Sequence, residues 1–246
     1  MWNKPHLLNA LADLLILAAA AALLAAAAVW LVRVPSLPVR QVEFVEPLAH
    51  TRRVEVEQIL AGSLKGNFFS LNLESVRGAL EMLPWVRKVE VRRIWPAKLQ
   101  VKVEEHRPLA RWGEGRGELV NSYGEVFAAL PGEQELVALP LLAGPAGTAS
   151  EVLTHFSEYV GAFKAVGERP FQLTLSPRLA WQLKLENGMV VDMGREQPKS
   201  PVALRLQRFI EVYPETVAKR AVRPAVVDLR YPNGFAMKVV GEGKGK

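Results

Sequence analysis

The sequence predicts an α+β protein with a single N-terminal membrane helix followed by two folded domains. Three observations predict this architecture. An uncharged run covers residues 14–32, two runs of alternating residues flank a turn at Trp95 and Pro96, and from Arg107 onward short apolar segments are separated by glycine and proline. Half of the 246 residues are hydrophobic, which is enough to build a core in each domain beside the membrane segment.

The uncharged run is the first element, and Arg33 closes it. A helix of about 20 residues crosses a hydrocarbon core of roughly 30 Å, so residues 14–32 predict a transmembrane helix behind a short head at residues 1–13. A cleaved signal peptide has a shorter apolar region of about 7–15 residues, although the many alanines leave that alternative open. Charge does not decide the orientation, because Lys4 precedes the run and both Arg33 and Arg40 follow it.

The first domain is predicted at residues 38–106 with the order β-α-α-β-β, and its first three elements precede the hairpin. Residues 39–45 indicate a strand. Thr51 is a cap-type residue for a helix that ends near Gly62, although its sequence VEVEQIL fits a strand equally well. Asn72 predicts the start of a second helix that Pro84 stops, with one apolar face made by Leu73, Val76, Leu80 and Leu83.

A β-hairpin completes this domain. In its first strand Val89 and Val91 alternate with charged residues, and in its second strand Leu99, Val101 and Val103 alternate with Gln100, Lys102 and Glu104. A period of two indicates strands with one buried face. Pro96 suits the turn between them because its φ is fixed and it donates no hydrogen bond.

The second domain is predicted at residues 107–240 as a mixed β domain with flanking helices. Two helices are expected after the cap-type residues Ser150 and Ser200, and Asn187-Gly188 is a strong hairpin signal. The strands are expected at residues 109–112, 117–121, 125–129, 139–142, 171–175, 180–185, 189–193, 225–231 and 235–240. Residues 241–246 (GEGKGK) are predicted to be a disordered tail.

Motifs for catalysis, metals and cofactors are missing from the sequence. It has no cysteine, no HExxH, no GxSxG, no Walker loop and no strand followed by GxGxxG. A triad of Ser150, His155 and Asp192 or Asp228 can be drawn, but a helix cap and strand positions explain those residues better. We therefore expect no enzyme activity, no cofactor and no metal.

The hairpin carries a basic face, with Arg87, Lys88, Arg92, Arg93, Lys98 and Lys102 against Glu90. Nucleic-acid binding would need exposed aromatic rings between these charges, which Trp85 and Trp95 could supply. We favour a solvated outer face of the sheet and expect no nucleic-acid partner. Attraction to anionic lipid headgroups is compatible with that interpretation.

Several longer segments along the chain resemble one known protein family. The runs LPWVRKVEVRRIWP and LQVKVEEHRPLARW, at residues 83–96 and 99–112, resemble the signature of the FtsQ/DivIB family of bacterial cell-division proteins. Further matches in order are LVNSYGEVF, LPLLAGPAGTASEVL, WQLKLENG, RFIEVYP and VVDLRYPNG. The resemblance implies a POTRA domain at residues 38–106 and a β domain at residues 107–240, both periplasmic, on a single-pass protein of the inner membrane with a cytoplasmic N-terminus.

The resemblance also implies a function, a non-enzymatic divisome scaffold at the division septum. It would bind the periplasmic segments of FtsB and FtsL, along with other divisome proteins, and help coordinate septal peptidoglycan synthesis. The implied FtsB contacts are Arg178, Arg208, Val212, Tyr231, Asn233, Gly234, Phe235, Ala236 and Met237. A terminal strand suits this role because its outer backbone groups can pair with an added strand.

Further expectations accompany the resemblance. Without it, Tyr231 would be interpreted as a core or turn residue. Relatives can carry a tryptophan after the last turn, which this chain lacks, and Phe235 is the aromatic residue that can take its place. The second helix and a hairpin edge at Val101, Lys102 and Val103 are further candidate contacts. The alternative function is a POTRA-containing envelope assembly or secretion protein, which usually carries several such repeats or a long barrel.

Overall fold

The computed structural model describes residues 5–33, 39, 41–64, 66–113, 115, 117–231 and 233–239. The chain divides into two compact units, Met1–Glu105 and His106–Lys246, and the predicted α+β class is confirmed. The start of the predicted head, residues 34–38 after the predicted anchor, and the predicted tail at residues 241–246 lie outside the described residues.

Helix α1 spans Pro5–Arg33, so the described part of the predicted head belongs to the same helix as the predicted anchor. Its apolar portion, Leu8–Trp30, covers 23 residues with a mean hydropathy of 2.3. None of the residues in its most apolar stretch is buried. This helix is long and apolar enough to cross a membrane. An unburied helix of this composition is stable in lipid because every backbone group is paired within the helix.

The N-terminal unit contains the predicted β-α-α-β-β order. Its elements are β1 (Gln41–Phe44), α2 (Arg53–Ser63), α3 (Leu73–Leu80), β2 (Val86–Ile94) and β3 (Lys98–Glu105). The VEVEQIL segment is helical, and Arg52 rather than Thr51 occupies its cap position. Asn72 caps α3 as predicted, since its side-chain oxygen accepts a hydrogen bond from the Ser75 amide at 3.1 Å.

Among the described residues of this unit, the strands form a sheet in the order β1-β3-β2. Strand β1 runs parallel to β3, and β2 runs antiparallel to it. The inward face of β3 is fully buried through Leu99 and Val101. It packs on α2 and α3 in a core that contains Val56, Leu60, Val76, Leu80 and Val89. Burial of alternate residues on one face is the cause of the period of two.

The predicted hairpin edge at Val101, Lys102 and Val103 is corrected at Val101. The pairing of β1 with β3 ends at that residue, so a contact at Lys102 and Val103 stays a prediction. Val101 is paired with Phe44 on one side and with Val91 on the other, so β3 is the central strand. Val101 is 0% exposed and Val103 is also buried, while the Lys102 side chain points to solvent. The hairpin strand that lies at an edge of the described sheet is β2.

The C-terminal unit alternates strands with helices. Its elements are β4 (Pro108–Trp112), β5 (Glu118–Asn121), β6 (Val126–Ala128), α4 (Glu133–Ala138), β7 (Leu141–Ala143), α5 (Ala149–Lys164), β8 (Pro170–Leu175), β9 (Ala180–Leu185), β10 (Val190–Arg195), α6 (Val202–Thr216), β11 (Pro224–Asp228) and β12 (Ala236–Val239). The sequence did not predict α4. The cap positions of α5 and α6 are Thr148 and Pro201, and neither Ser150 nor Ser200 provides the predicted cap.

These strands pair in the order β12-β11-β10-β9-β8-β7-β4-β5-β6 within the described residues. Two parallel pairs, β7 with β8 and β10 with β11, are joined through α5 and α6 respectively. Parallel neighbours need such a crossover helix, which packs on the sheet. Helix α6 therefore lies over the end of the sheet that carries β11 and β12. Its residue Phe209 faces the sheet and is fully buried.

Candidate functional site

The C-terminal edge of the large sheet is the best candidate site. Strand β12 pairs antiparallel with β11, with Ala236 opposite Asp228 and Met237 opposite Val227. On its other side it has no neighbouring strand among the described residues. Such an edge presents a row of backbone N–H and C=O groups that can pair with an incoming strand. Ala236 and Lys238 are exposed, whereas Met237 packs partly on the core.

The segment between β11 and β12 is held by local contacts. The Asp228 carboxylate accepts hydrogen bonds from the Arg230 amide at 3.0 Å and from its Nε at 2.8 Å. The hydrogen bond from the Arg230 side chain holds the pKa of Asp228 below its ordinary value. Gly194 has a φ of +70°, and a Cβ there would lie 2.7 Å from Arg230 Cγ. The absence of a side chain at Gly194 thus lets Arg230 lie flat on β10.

Tyr231 follows this anchored pair and is 56% exposed. Leu229, two residues earlier, is buried and donates its amide to the Asp192 carbonyl at 2.8 Å, which fixes the chain just before the tyrosine. Phe235 returns to the sheet and meets Phe209 edge to face, with their centroids 5.2 Å apart. One aromatic ring therefore projects outward while the next packs on the core.

A groove of about 570 Å³ separates α6 from this segment. One wall comes from α6 and the other from the end of the chain. The residues that line it are Arg205, Arg208, Phe209, Glu211, Val212, Leu229, Tyr231, Asn233, Gly234 and Phe235. An apolar floor with polar groups at the rim is the usual composition of a binding site.

Arg205 is the unusual residue of the groove, because it is charged and only 4% exposed. Its Nη2 donates to the Arg195 carbonyl at 2.8 Å. Its Nε and Nη1 have no hydrogen-bond partner among the described residues. Buried polar groups are nearly always paired, and an unpaired guanidinium is costly. Arg205 is therefore a buried positive charge in the groove lining whose hydrogen bonds are incomplete among the described residues.

The structure brings most of the predicted contact residues together. Arg208, Val212, Tyr231, Asn233, Gly234 and Phe235 line the groove, and Ala236 and Met237 lie beside it on β12. Arg178 does not line it and lies in the exposed turn between β8 and β9. Sequence reasoning missed Arg205. The available signal was its spacing, because it lies four residues before the buried Phe209 and so shares that helix face.

Metal chemistry finds no support in the described part of the chain, where no group of three or more acidic or histidine side chains could hold an ion. The drawn triad of Ser150, His155 and Asp192 or Asp228 is not assembled either. His155 Nδ1 instead contacts the Glu158 carboxylate at 3.0 Å, and Asp192 accepts a hydrogen bond from Gln182 at 2.6 Å.

Comparison with known proteins agrees with this architecture. The family model "Cell division protein FtsQ/DivIB, C-terminal" matches residues 110–230, and the model "POTRA domain, FtsQ-type" matches residues 37–106. The cell division protein FtsQ of Burkholderia pseudomallei is 38% identical over 98% of this chain and 95% of that protein. The chain belongs to the FtsQ/DivIB family. The POTRA match covers the part of the N-terminal unit that follows α1, and the C-terminal match includes helix α6, which forms one wall of the candidate groove.

Other relatives carry the same name. The cell division protein FtsQ of Bordetella pertussis is 36% identical over 96% of this chain and 92% of that protein. The FtsQ of Shewanella oneidensis is 41% identical over 82% of this chain and 74% of its own length. Together with the apolar helix α1, these similarities identify a single-pass membrane protein of the bacterial cell-division machinery.

Proposed function

We propose that this chain is a non-enzymatic scaffold of the divisome that binds the periplasmic segments of FtsB and FtsL and helps coordinate septal peptidoglycan synthesis. The observation that carries the proposal is the groove between α6 and β12, where a strand edge with no described neighbour adjoins an exposed tyrosine and a buried arginine. We place FtsB in this groove and expect FtsL to be held through it.

The binding mode that fits this geometry is strand addition. A partner segment would pair with the outer edge of β12, where Ala236 offers a small exposed side chain at its start. Backbone hydrogen bonds supply affinity in this mode, and side-chain pockets supply specificity. The specificity elements are the Tyr231 ring, which offers a large apolar surface, and the groove between it and Val212.

The cations of α6 define the chemistry of the partner. Arg205 has two donors without a described partner, and Arg208 lies one turn further along the same helix in the groove lining. We expect a partner segment that carries an acidic residue next to its apolar anchors, because such a residue would be attracted to these two cations. Arginine favours planar carboxylate groups because its donors form a fixed fork.

Hydrogen exchange on the full-length chain in a detergent micelle tests the site. Addition of the FtsB periplasmic segment should slow exchange of the backbone amides of residues 236–239. The matched control is β6 (Val126–Ala128), the strand at the opposite edge of the same described sheet, whose amides should not change. Protection of β6, or of neither strand, would place FtsB elsewhere.

The cellular role and location need separate experiments. We propose that the N-terminus lies in the cytoplasm, the body in the periplasm, and the protein at the septum. A periplasm-dependent reporter fused after Lys246 should be active, and an inactive reporter would contradict this orientation. Depletion should produce filaments without septa. Normal division with defective outer-membrane assembly would instead favour an envelope assembly or secretion protein.

A further inference from the structure

The tip of the β2–β3 hairpin, residues 94–97, is apolar although both strands are rich in charge. Trp95 is 77% exposed, and Ile94 beside it is also exposed. Exposed large apolar side chains that adjoin one another mark contact surfaces. Nothing in the groove at β12 involves these residues, so the tip needs its own explanation.

A third apolar side chain, Phe69, belongs to the same end of the sheet. The Arg93 Nε donates to the Phe68 carbonyl at 2.8 Å, and its guanidinium also bonds to the Leu71 carbonyl. These bonds tie the loop before α3 to the last residues of β2. Phe69 is exposed, and these bonds place it at the same end of the sheet as Ile94 and Trp95. We call these three residues the tip cluster.

The tip cluster lies where the chain enters the POTRA domain. Strand β1 runs parallel to β3, and its first residue, Gln41, pairs with Lys98, the first residue of β3 after the turn. The end of the sheet that receives the chain from α1 is therefore the end that carries the tip. The opposite end carries Glu105, opposite Val86.

The membrane helix keeps this end close to lipid. Helix α1 ends at Arg33 and β1 begins at Gln41, eight residues later in the sequence. Eight residues span at most about 28 Å even when fully extended. Whichever side of the membrane the domain occupies, the tip cluster is thus held near the headgroup layer at a high effective concentration.

The charges at this end suit an anionic surface. Arg92, Arg93 and Lys98 flank the tip, and the nearest acidic residue on β2 is Glu90, which pairs with Arg92 at 3.3 Å. Carboxylates collect at the other end of the hairpin, at Glu104 and Glu105. Tryptophan prefers the interface between water and lipid, and neighbouring cations are attracted to anionic headgroups.

We propose that the tip cluster inserts into the headgroup layer of the membrane that α1 spans, with Trp95 as the main anchor and Arg92 and Lys98 on lipid phosphates. The contact gives the POTRA domain a second attachment to the bilayer. It fixes which end of the sheet faces the membrane and leaves the opposite end, with Glu104 and Glu105, directed away.

The absence of cysteine from the sequence makes a direct test possible. The full-length chain is reconstituted in vesicles of phosphatidylcholine with about 30% phosphatidylglycerol, an anionic surface of the kind that attracts basic segments. An environment-sensitive fluorophore is attached through Ala97→Cys at the tip or, as a matched control, through Met82→Cys. Met82 is 84% exposed and lies just before β2, at the opposite end of the sheet.

Headgroup-linked nitroxide lipids should quench the probe at position 97 at least about twice as strongly as the probe at position 82. Trp95→Glu, added to the Ala97→Cys chain, should reduce the quenching at position 97 to the level at position 82. Replacing phosphatidylglycerol with phosphatidylcholine should weaken it. Equal quenching at the two positions, or quenching that Trp95→Glu does not change, would overturn the proposal. In these vesicles no other protein is present to cover the tip.

Discussion

The β2–β3 hairpin and the C-terminal edge both carry arginines and aromatic rings, but they use them differently. In the hairpin, Arg87 forms an ion pair with Glu104, with 2.9 Å between Nη1 and Oε1. Arg93 donates hydrogen bonds to backbone carbonyls. At the C-terminal edge Arg205 keeps two donors without a described partner, and Tyr231 faces solvent. Arg87 and Arg93 of the hairpin are thus satisfied within the protein, whereas the C-terminal edge contains a buried arginine whose hydrogen bonds are incomplete among the described residues.

The largest expected effect concerns the central strand of the hairpin. Val101→Asp places an unpaired carboxylate where the side chain is 0% exposed, so we expect the N-terminal unit to lose more than about 3 kcal/mol of stability. Hydrogen exchange of the β3 amides measures this loss. The control is Lys102→Ala on the exposed face, with an expected change within about 0.5 kcal/mol. If the Val101→Asp protein were as stable as the native chain, Val101 would have to be exposed, and this result would contradict the sheet order.

A second prediction separates stability from binding at the groove. Arg205→Met removes a buried guanidinium that has only one described hydrogen bond, to the Arg195 carbonyl, so unfolding free energy should change by no more than about 1 kcal/mol. Affinity for the FtsB segment should fall about tenfold, because the groove loses a buried positive charge that attracts an acidic partner residue. Titration calorimetry and denaturant unfolding measure the two quantities. The control is Arg220→Met, because Arg220 is exposed and lies outside the groove lining. Equal affinities of the two variants for FtsB would show that Arg205 has no role in binding.

The smallest effect concerns a carboxylate at the far end of the hairpin. The Glu105 side chain accepts the amides of Ala49 and Thr51, each at 2.7 Å, and that of His50 at 3.2 Å. Burial acts to raise the pKa of Glu105, but the Thr51 side chain and the three amides outweigh it, so that pKa is lowered. Glu105→Gln should therefore cost about 1 kcal/mol of stability at neutral pH.

The sign of the pH dependence follows from that lowered pKa. Stabilisation by Glu105 is present above the ordinary glutamate pKa of about 4.3 and is lost as the pH falls through the lower folded-state value. Denaturant unfolding of the native chain and of Glu105→Gln should thus converge on acidification. A difference in stability that stays constant with pH would contradict the role of the ionised carboxylate.

Local patterns predicted most elements because burial on one face imposes a period. The alternation of Leu99, Val101 and Val103 matches their burial, and Asn72 caps α3. The position of β3 in the centre of its sheet could not be predicted, because both hairpin strands show the same alternation. Only the parallel pairing of β1 with β3, which joins residues far apart in the sequence, decides which strand is central.

The groove was partly predictable. Tyr231, Phe235 and Arg208 were placed through the family resemblance, and the structure adds that they face one groove. Arg205 was missed because an arginine on a helix is usually solvated, and its burial depends on how α6 crosses the sheet. The caps expected at Ser150 and Ser200 fell one or two positions from Thr148 and Pro201, since helix starts depend on the preceding turn as well as on residue type.

We expect FtsB to bind at the C-terminal edge and not at the hairpin. The most direct measurement is the affinity of the full-length chain for the FtsB periplasmic segment after Tyr231→Ala, with Tyr123→Ala as the matched control. The two tyrosines are 56% and 59% exposed, and neither substitution should change the fold. Tyr231→Ala should weaken binding at least about tenfold while Tyr123→Ala leaves it unchanged. Wild-type affinity after Tyr231→Ala would contradict the account.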